Sequence, residues 1–197
     1  KEVTQFVKDK SPNTNNAKLF TGKALSFDGN DEVDISSFEM TGDIATFAFW
    51  VNPSNTVGYI YDFDAGGGGK RLIIGFNSTN LMLYSGSEGA GTWNDFGSIL
   101  LNTFSRVVVV INGTSAICYV NNSQLGTSQT IGVIDLSSMD SARIGSFNQG
   151  GANFFSGLLS DLQIYNKAWD SDDVAFDYNN PNHLAIDNPD TDLVVTD

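Results

Sequence analysis

The chain is poor in the residues that most often announce chemistry. Among 197 residues there is one cysteine, Cys118, and one histidine, His183. A lone cysteine closes no internal disulfide, which excludes a disulfide-stapled scaffold and a cysteine-rich zinc site. A lone histidine excludes multi-histidine metal centres and leaves one base for any serine–histidine chemistry. Basic residues are scarce too: 10 Lys and Arg stand against 23 Asp and Glu, a net charge of −13. Nucleic acid and anionic membranes select basic patches, so neither is an expected partner; a cation is compatible with this balance. No apolar run approaches the roughly 20 residues that span a bilayer, the longest lying near Val107–Ile111, so no membrane insertion is expected. There are only four prolines, and only four of the acidic residues are glutamates: Glu2, Glu32, Glu39 and Glu88.

What the chain has is glycine (20), phenylalanine (14) and much Asn and Ser. Short aromatic or β-branched runs alternate with Gly/Asn/Ser clusters, the pattern of an all-β domain. Strands are expected at 24–27 and 33–35, around the turn Asp28-Gly29-Asn30-Asp31, and at 46–51, stopped by Pro53. In the latter, Phe47, Phe49 and Val51 share one face, and Ala48 and Trp50 the other. Further strands are expected at 59–63, 71–76, 81–85, 99–101, 124–130, 142–147 and 154–165. Residues 106–111 and 116–120 enclose Asn112-Gly113, a strong hairpin signal. Residues 86–97, rich in glycine and carrying Trp93, read as a surface loop. Only Ser171–Tyr178 reads as helix, with Ser171 as N-cap and Asp172 and Asp173 in the first turn. The expectation is an all-β, two-sheet antiparallel sandwich with one short C-terminal helix. Its core would hold Phe47, Phe49, Phe76, Ile111, Leu162 and Ile164. Residues 1–19 read as a polar N-terminal segment, 20–180 as the sandwich and 181–197 as an acidic tail or linker. The start at Lys1 points to a processed product or a piece of something longer.

Several segments carry a resemblance. They are Gly22–Asp31, Phe47-Ala48-Phe49-Trp50-Val51-Asn52-Pro53, Arg106–Tyr119, Ala142-Arg143-Ile144-Gly145 and Phe155–Ala168. In order and spacing they resemble the laminin G-like domains of the concanavalin A-like lectin/glucanase superfamily, over roughly residues 20–180. Phe104 and Arg106 depart from the family, which usually has Trp and His there. The resemblance implies a jelly-roll sandwich appended to secreted enzymes, adhesins or virion proteins. It places the chain outside the cell, on a cell surface or on a virion. It also implies a structural Ca²⁺ between the Phe-Asp-Gly turn and an Asp in Gly157-Leu158-Leu159-Ser160-Asp161. Carried over, Asp28, Asn30 and Asp161 are its expected ligands, with Asp31 beside them. The residues themselves allow two readings of that turn. Three oxygen-bearing side chains and a glycine suit a hard cation, and equally suit an Asx turn bonding its own backbone. Asp161, Gln163 and Tyr165 face away from Leu162 and Ile164, and a carboxylate in a long strand needs a reason.

Catalysis has little to stand on. Retaining glucanases of this superfamily use paired carboxylates about 5–5.5 Å apart, and none of the four Glu has a partner in that pattern. Asp62 and Asp64 are the only period-two pair on a strand. Cys118 reads as an inert core thiol. Sugar recognition needs aromatic faces and planar polar groups, and the expected ligand-binding set is Tyr59, Tyr61, Arg71, Tyr84, Trp93 and Asp95. The reading is therefore a non-catalytic, calcium-stabilised recognition or adhesion module. Its expected partners are a glycan or surface polysaccharide and the other domains of a larger protein. A structural or decoration domain without a small-ligand site stays open beside it.

Overall fold

Alternating apolar and polar residues sort fourteen strands into two antiparallel sheets. The computed structural model describes residues 24–35, 40–66, 69–87, 89–139, 141–147 and 152–180 in full, and 5–7 and 17–20 by backbone alone. In chain order the strands are β1 (Gln5–Val7), β2 (Ala17–Phe20), β3 (Ala24–Asp28), β4 (Val33–Asp34), β5 (Ile44–Pro53), β6 (Val57–Asp64) and β7 (Lys70–Asn77). They continue as β8 (Asn80–Ser87), β9 (Thr92–Ser98), β10 (Ser105–Asn112), β11 (Ser115–Val120), β12 (Ser123–Thr130), β13 (Ser141–Ile144) and β14 (Ser156–Tyr165), followed by helix α1 (Ser171–Asn179). One sheet runs β1-β2-β3-β14-β5-β10-β11-β12 and the other β4-β13-β6-β7-β8-β9. The expected tail at 181–197, with His183, lies outside the described residues, as do Glu39 and Glu88.

The core lies between the sheets. Phe47, Phe49, Phe76 and Ile111 are buried in one cluster, and Leu162 and Ile164 pack against it half-buried. Cys118 sits in the same cluster, and burial pushes its thiol ionisation far up, as expected of an inert core thiol. The other face of β5 builds a second, smaller cluster. There Ala48, Val108 and Val110 meet Trp169 and Val174, which seat α1 on the larger sheet. Arg106 completes that seat: its Nε and Nη2 donate to Asp177 at 2.7 Å each. Trp50 lies on the same outer face, its ring 6.1 Å from that of Tyr178.

Three differences from expectation have local causes. The N-cap is Asp170, not Ser171: the Asp170 carboxylate accepts from the N–H groups of Asp172 and Asp173 and forms a capping box with Asp173. Residues 92–98 form β9 rather than part of a long loop, because Trp93, Asn94 and Asp95 pair with Tyr84, Leu83 and Met82 of β8. Residues 99–101 form no strand; they carry the chain from one sheet to the other. The Asn112-Gly113 and Asn121-Asn122 hairpins form as expected, with positive φ at Gly113, Asn121 and Asn122.

Candidate functional site: an aromatic platform on the six-stranded sheet

Along β7, Leu72, Ile74 and Phe76 point into the core, which leaves Arg71, Ile73 and Gly75 for the outer face. What happens on that face is decided by a bulge in β6. Tyr59 pairs with Gly75 and Tyr61 with Ile74, so Ile60 is an extra residue. A bulge of this kind throws period-two neighbours onto opposite faces. Tyr61 goes inward, 0% exposed, against Phe47, Phe49 and Phe63. Burial pushes its phenol ionisation far up, and its hydroxyl has no hydrogen-bond partner among the described residues. Tyr61 is therefore a core residue and not the ligand contact expected of it.

Tyr59 goes outward and lies over Gly75, where a Cβ would come within 3.0 Å of its Cδ1 and 2.6 Å of the Gly58 carbonyl. Its ring centroid is 5.9 Å from Trp93 and 5.9 Å from Phe147, and Tyr84 lies 5.2 Å from Trp93. These four side chains come from β6, β8, β9 and the segment after β13. Tyr84 is buried, donating its hydroxyl to the Ser87 carbonyl at 2.7 Å and accepting from the Gly91 N–H at 2.8 Å. It holds the β8–β9 turn and backs Trp93 instead of meeting ligand, which corrects its expected role. Trp93 is the exposed member, 42% accessible. Beside it opens a cavity of about 390 Å³ lined by Val57, Tyr59, Asn77, Met82, Trp93 and Asn153, at the small end of ligand pockets. Asp95 is exposed on β9 opposite Met82, accepting from the Gly97 N–H at 2.8 Å and Asn80 Nδ2 at 2.7 Å.

Arg71 does not reach this opening. It is 2% exposed and donates through Nε and Nη2 to Asp62 at 2.8 and 2.5 Å, with Asp64 3.9 Å away. Phe147 covers its guanidinium at 4.0 Å. The expected ligand contact is thus a buried ion pair under the platform. The same pair occupies Asp62 and Asp64, the only period-two carboxylates on a strand. Sequence reasoning missed Val57, Asn77, Met82, Phe147 and Asn153; only Asn77, at a hairpin end, carried any signal.

The four expected calcium ligands do not come together. Asp28 accepts from the Asn30 N–H at 3.2 Å, and its own N–H donates to Asp31 at 3.0 Å, an Asx turn closed on itself. Asp28 pairs with Ser156 in β14, and Asp161 lies five residues further along, about 16 Å away. Asp161 sits in a second bulge at φ +48°. Its carboxylate is 3.0 Å from Arg106 Nη1, which also donates to the Asp161 carbonyl at 3.0 Å. That ion pair is the reason for a carboxylate in this strand. No group of three His, Cys, Asp or Glu that could hold a metal exists among the described residues. One ion held by all four expected residues does not fit this arrangement.

A second, shallower cleft of about 300 Å³ is lined by Ser26, Asn52, Ser54, Asn102 and Gly157, with Phe27 buried behind them. It offers no exposed aromatic face.

The family model of the concanavalin A-like lectin/glucanases superfamily matches residues 27–175. No curated protein matches the chain. Among solved structures, the NanB sialidase from Streptococcus pneumoniae aligns with TM-score 0.67 at 17% identity, over 81% of this chain and 28% of that one. This chain thus spans little more than a quarter of that sialidase. The CBM40 of Ruminococcus gnavus IT-sialidase, bound to α2,3-sialyllactose, aligns with TM-score 0.63 at 10% identity, over 76% of this chain and 93% of that one. Domain 4 of AbnA, an extracellular GH43 arabinanase from Geobacillus stearothermophilus, in complex with arabinotriose, aligns with TM-score 0.56 at 16% identity, over 87% and 79%. At these identities the likeness is one of fold. The family match runs from the end of β3 into α1 and takes in both faces of the sandwich, and by it the chain belongs to the concanavalin A-like lectin/glucanase superfamily.

Proposed function

We propose that this chain is a non-catalytic carbohydrate-binding module and that the platform around Trp93 is its binding site. The observation that carries this is Trp93 itself, a large half-exposed ring packed against Tyr59 and Tyr84 at the rim of a cavity that also presents the Asn77 and Asn153 side chains. An apolar sugar face stacks on such a ring, and amides and carboxylates at the edge bond its hydroxyls. The solved relatives in complex with sialyllactose and arabinotriose support a sugar as the ligand class. The use of Asp62 and Asp64 by Arg71 supports a binding role over hydrolysis, since a hydrolase needs two carboxylates open to the scissile bond. The setting that goes with this reading is a larger protein outside the cell, on a cell surface or on a virion. The role leaves no step for calcium, and none is assigned.

A glycan array probed with the wild type and with Trp93→Ala tests the reading. The expected result is a family of related glycans bound by the wild type and lost in the variant, with unchanged melting temperature. An array without hits would overturn the reading and favour a structural or decoration domain.

A further inference from the structure

We infer that the platform takes a neutral, hydroxyl-rich sugar and rejects carboxylated sugars such as sialic acid, an inference that rests on the platform being a glycan site. A sugar carboxylate in a partly dry site calls for a charged partner, most often a guanidinium that grips both oxygens. Five basic residues have described side chains, and none can play that part. Arg106 is engaged by Asp177 and Asp161 on the other sheet. Arg143 pairs with Glu32, and Lys167 with Asp173. Lys70 starts β7 on the inward parity of Leu72 and Ile74, five residues before Gly75, the strand partner of Tyr59, about 16 Å along the strand.

Arg71 alone lies near the platform, and it is doubly withdrawn. Its fork is filled by Asp62 with Asp64 behind, two carboxylates against one guanidinium, and the Phe147 ring, which also touches Tyr59, covers it. Turning Arg71 outward would leave a buried carboxylate unpaired, which costs more than a surface contact returns. The opening itself presents neutral groups, Asn77 and Asn153, beside two rings. A negative charge stands beside it: Asp95 shares the outer face of β9 with Trp93 and lies opposite Met82. Its two oxygens have lone pairs left for sugar hydroxyls and repel a carboxylate in the same place. The net charge of −13 adds a long-range field of the same sign.

The test uses an array that prints neutral glycans beside their sialylated counterparts, lactose beside α2,3-sialyllactose among them, followed by titration of the best neutral probe. The expected result is binding to neutral probes, at least about tenfold weaker binding when sialic acid caps the same sugar, and an affinity that changes no more than about twofold between low and high salt. Asp95→Lys should narrow the gap between the two probes, with the fold checked to be intact by its amide spectrum. Equal or tighter binding of the sialylated probes would overturn the inference and leave the glycan site standing. No binding of either kind would overturn both.

Discussion

Tyr59 and Tyr61 differ by two positions in sequence and by an entire sheet in environment. One belongs to an open aromatic platform; the other is sealed among Phe47, Phe49 and Phe63, its hydroxyl without a partner among the described residues. A buried hydroxyl without a partner costs about 1–3 kcal/mol. Tyr61→Phe should therefore raise stability by about 1 kcal/mol in urea unfolding; a loss of that size would mean the hydroxyl is satisfied. Asp31 makes a second residue-scale case. Burial pushes its carboxyl up, the hydrogen bond from the Asp28 N–H pulls it down, and the Asp28 charge pushes it up again, for a net rise. A raised acid stabilises the fold while protonated, and that contribution is lost as pH rises through its folded value. At neutral pH, Asp31→Asn should thus melt no lower than the wild type, with its advantage shrinking on acidification. Neither melt should move between added Ca²⁺ and excess chelator. A wild-type melt raised by Ca²⁺ and lost in the variant would show that the turn holds an ion.

At the scale of elements, the sequence was most legible where a strand keeps strict alternation. β5 carries Phe47, Phe49 and Val51 inward and Ala48 outward as its spacing implies, and the Asn-Gly and Asn-Asn turns set the hairpins of β10, β11 and β12. It was least legible at the bulges. An extra residue in β6 is invisible to period-two counting, which would put Tyr61 on the face of Tyr59. Arg71 was misread for a related reason: it does sit on the outer face, but nothing in the sequence shows that Asp62 on the paired strand will take its guanidinium. The bulge in β14 likewise hid the pairing of Asp161 with Arg106, and that pairing ties the strand to α1. Arg106 is 2% exposed and bound to Asp177 by two hydrogen bonds. Removing one partner of a buried pair costs roughly 3 kcal/mol, so Asp177→Ala should lower stability by about that much and loosen α1. A change below about 0.5 kcal/mol, the scale of a surface pair, would show that the helix is held by Trp169 and Val174 alone.

Across the whole molecule the two sheets divide the labour. The outer face of the eight-stranded sheet is covered over β5 and β10 by Val174 of α1 and by Trp169 just before the helix. The outer face of the six-stranded sheet keeps an aromatic opening beside Trp93 and Tyr59, with the buried Arg71–Asp62 pair covered by Phe147 elsewhere on the same sheet. Sequence pattern reached the architecture and the core. It did not reach the site's lining, because Val57, Met82 and Asn153 come from three separate segments that only the folded sheet brings together. The most direct measurement is a set of nitrogen–proton correlation spectra recorded while the best glycan from the array is titrated in. Three tryptophans give three indole signals. The account predicts that the Trp93 indole shifts with glycan, together with the backbone amides of Tyr59, Asn77 and Asn153, while Trp50 and Trp169 stay fixed. Shifts centred on Ser26, Asn52 and Gly157, with Trp93 unmoved, would contradict it.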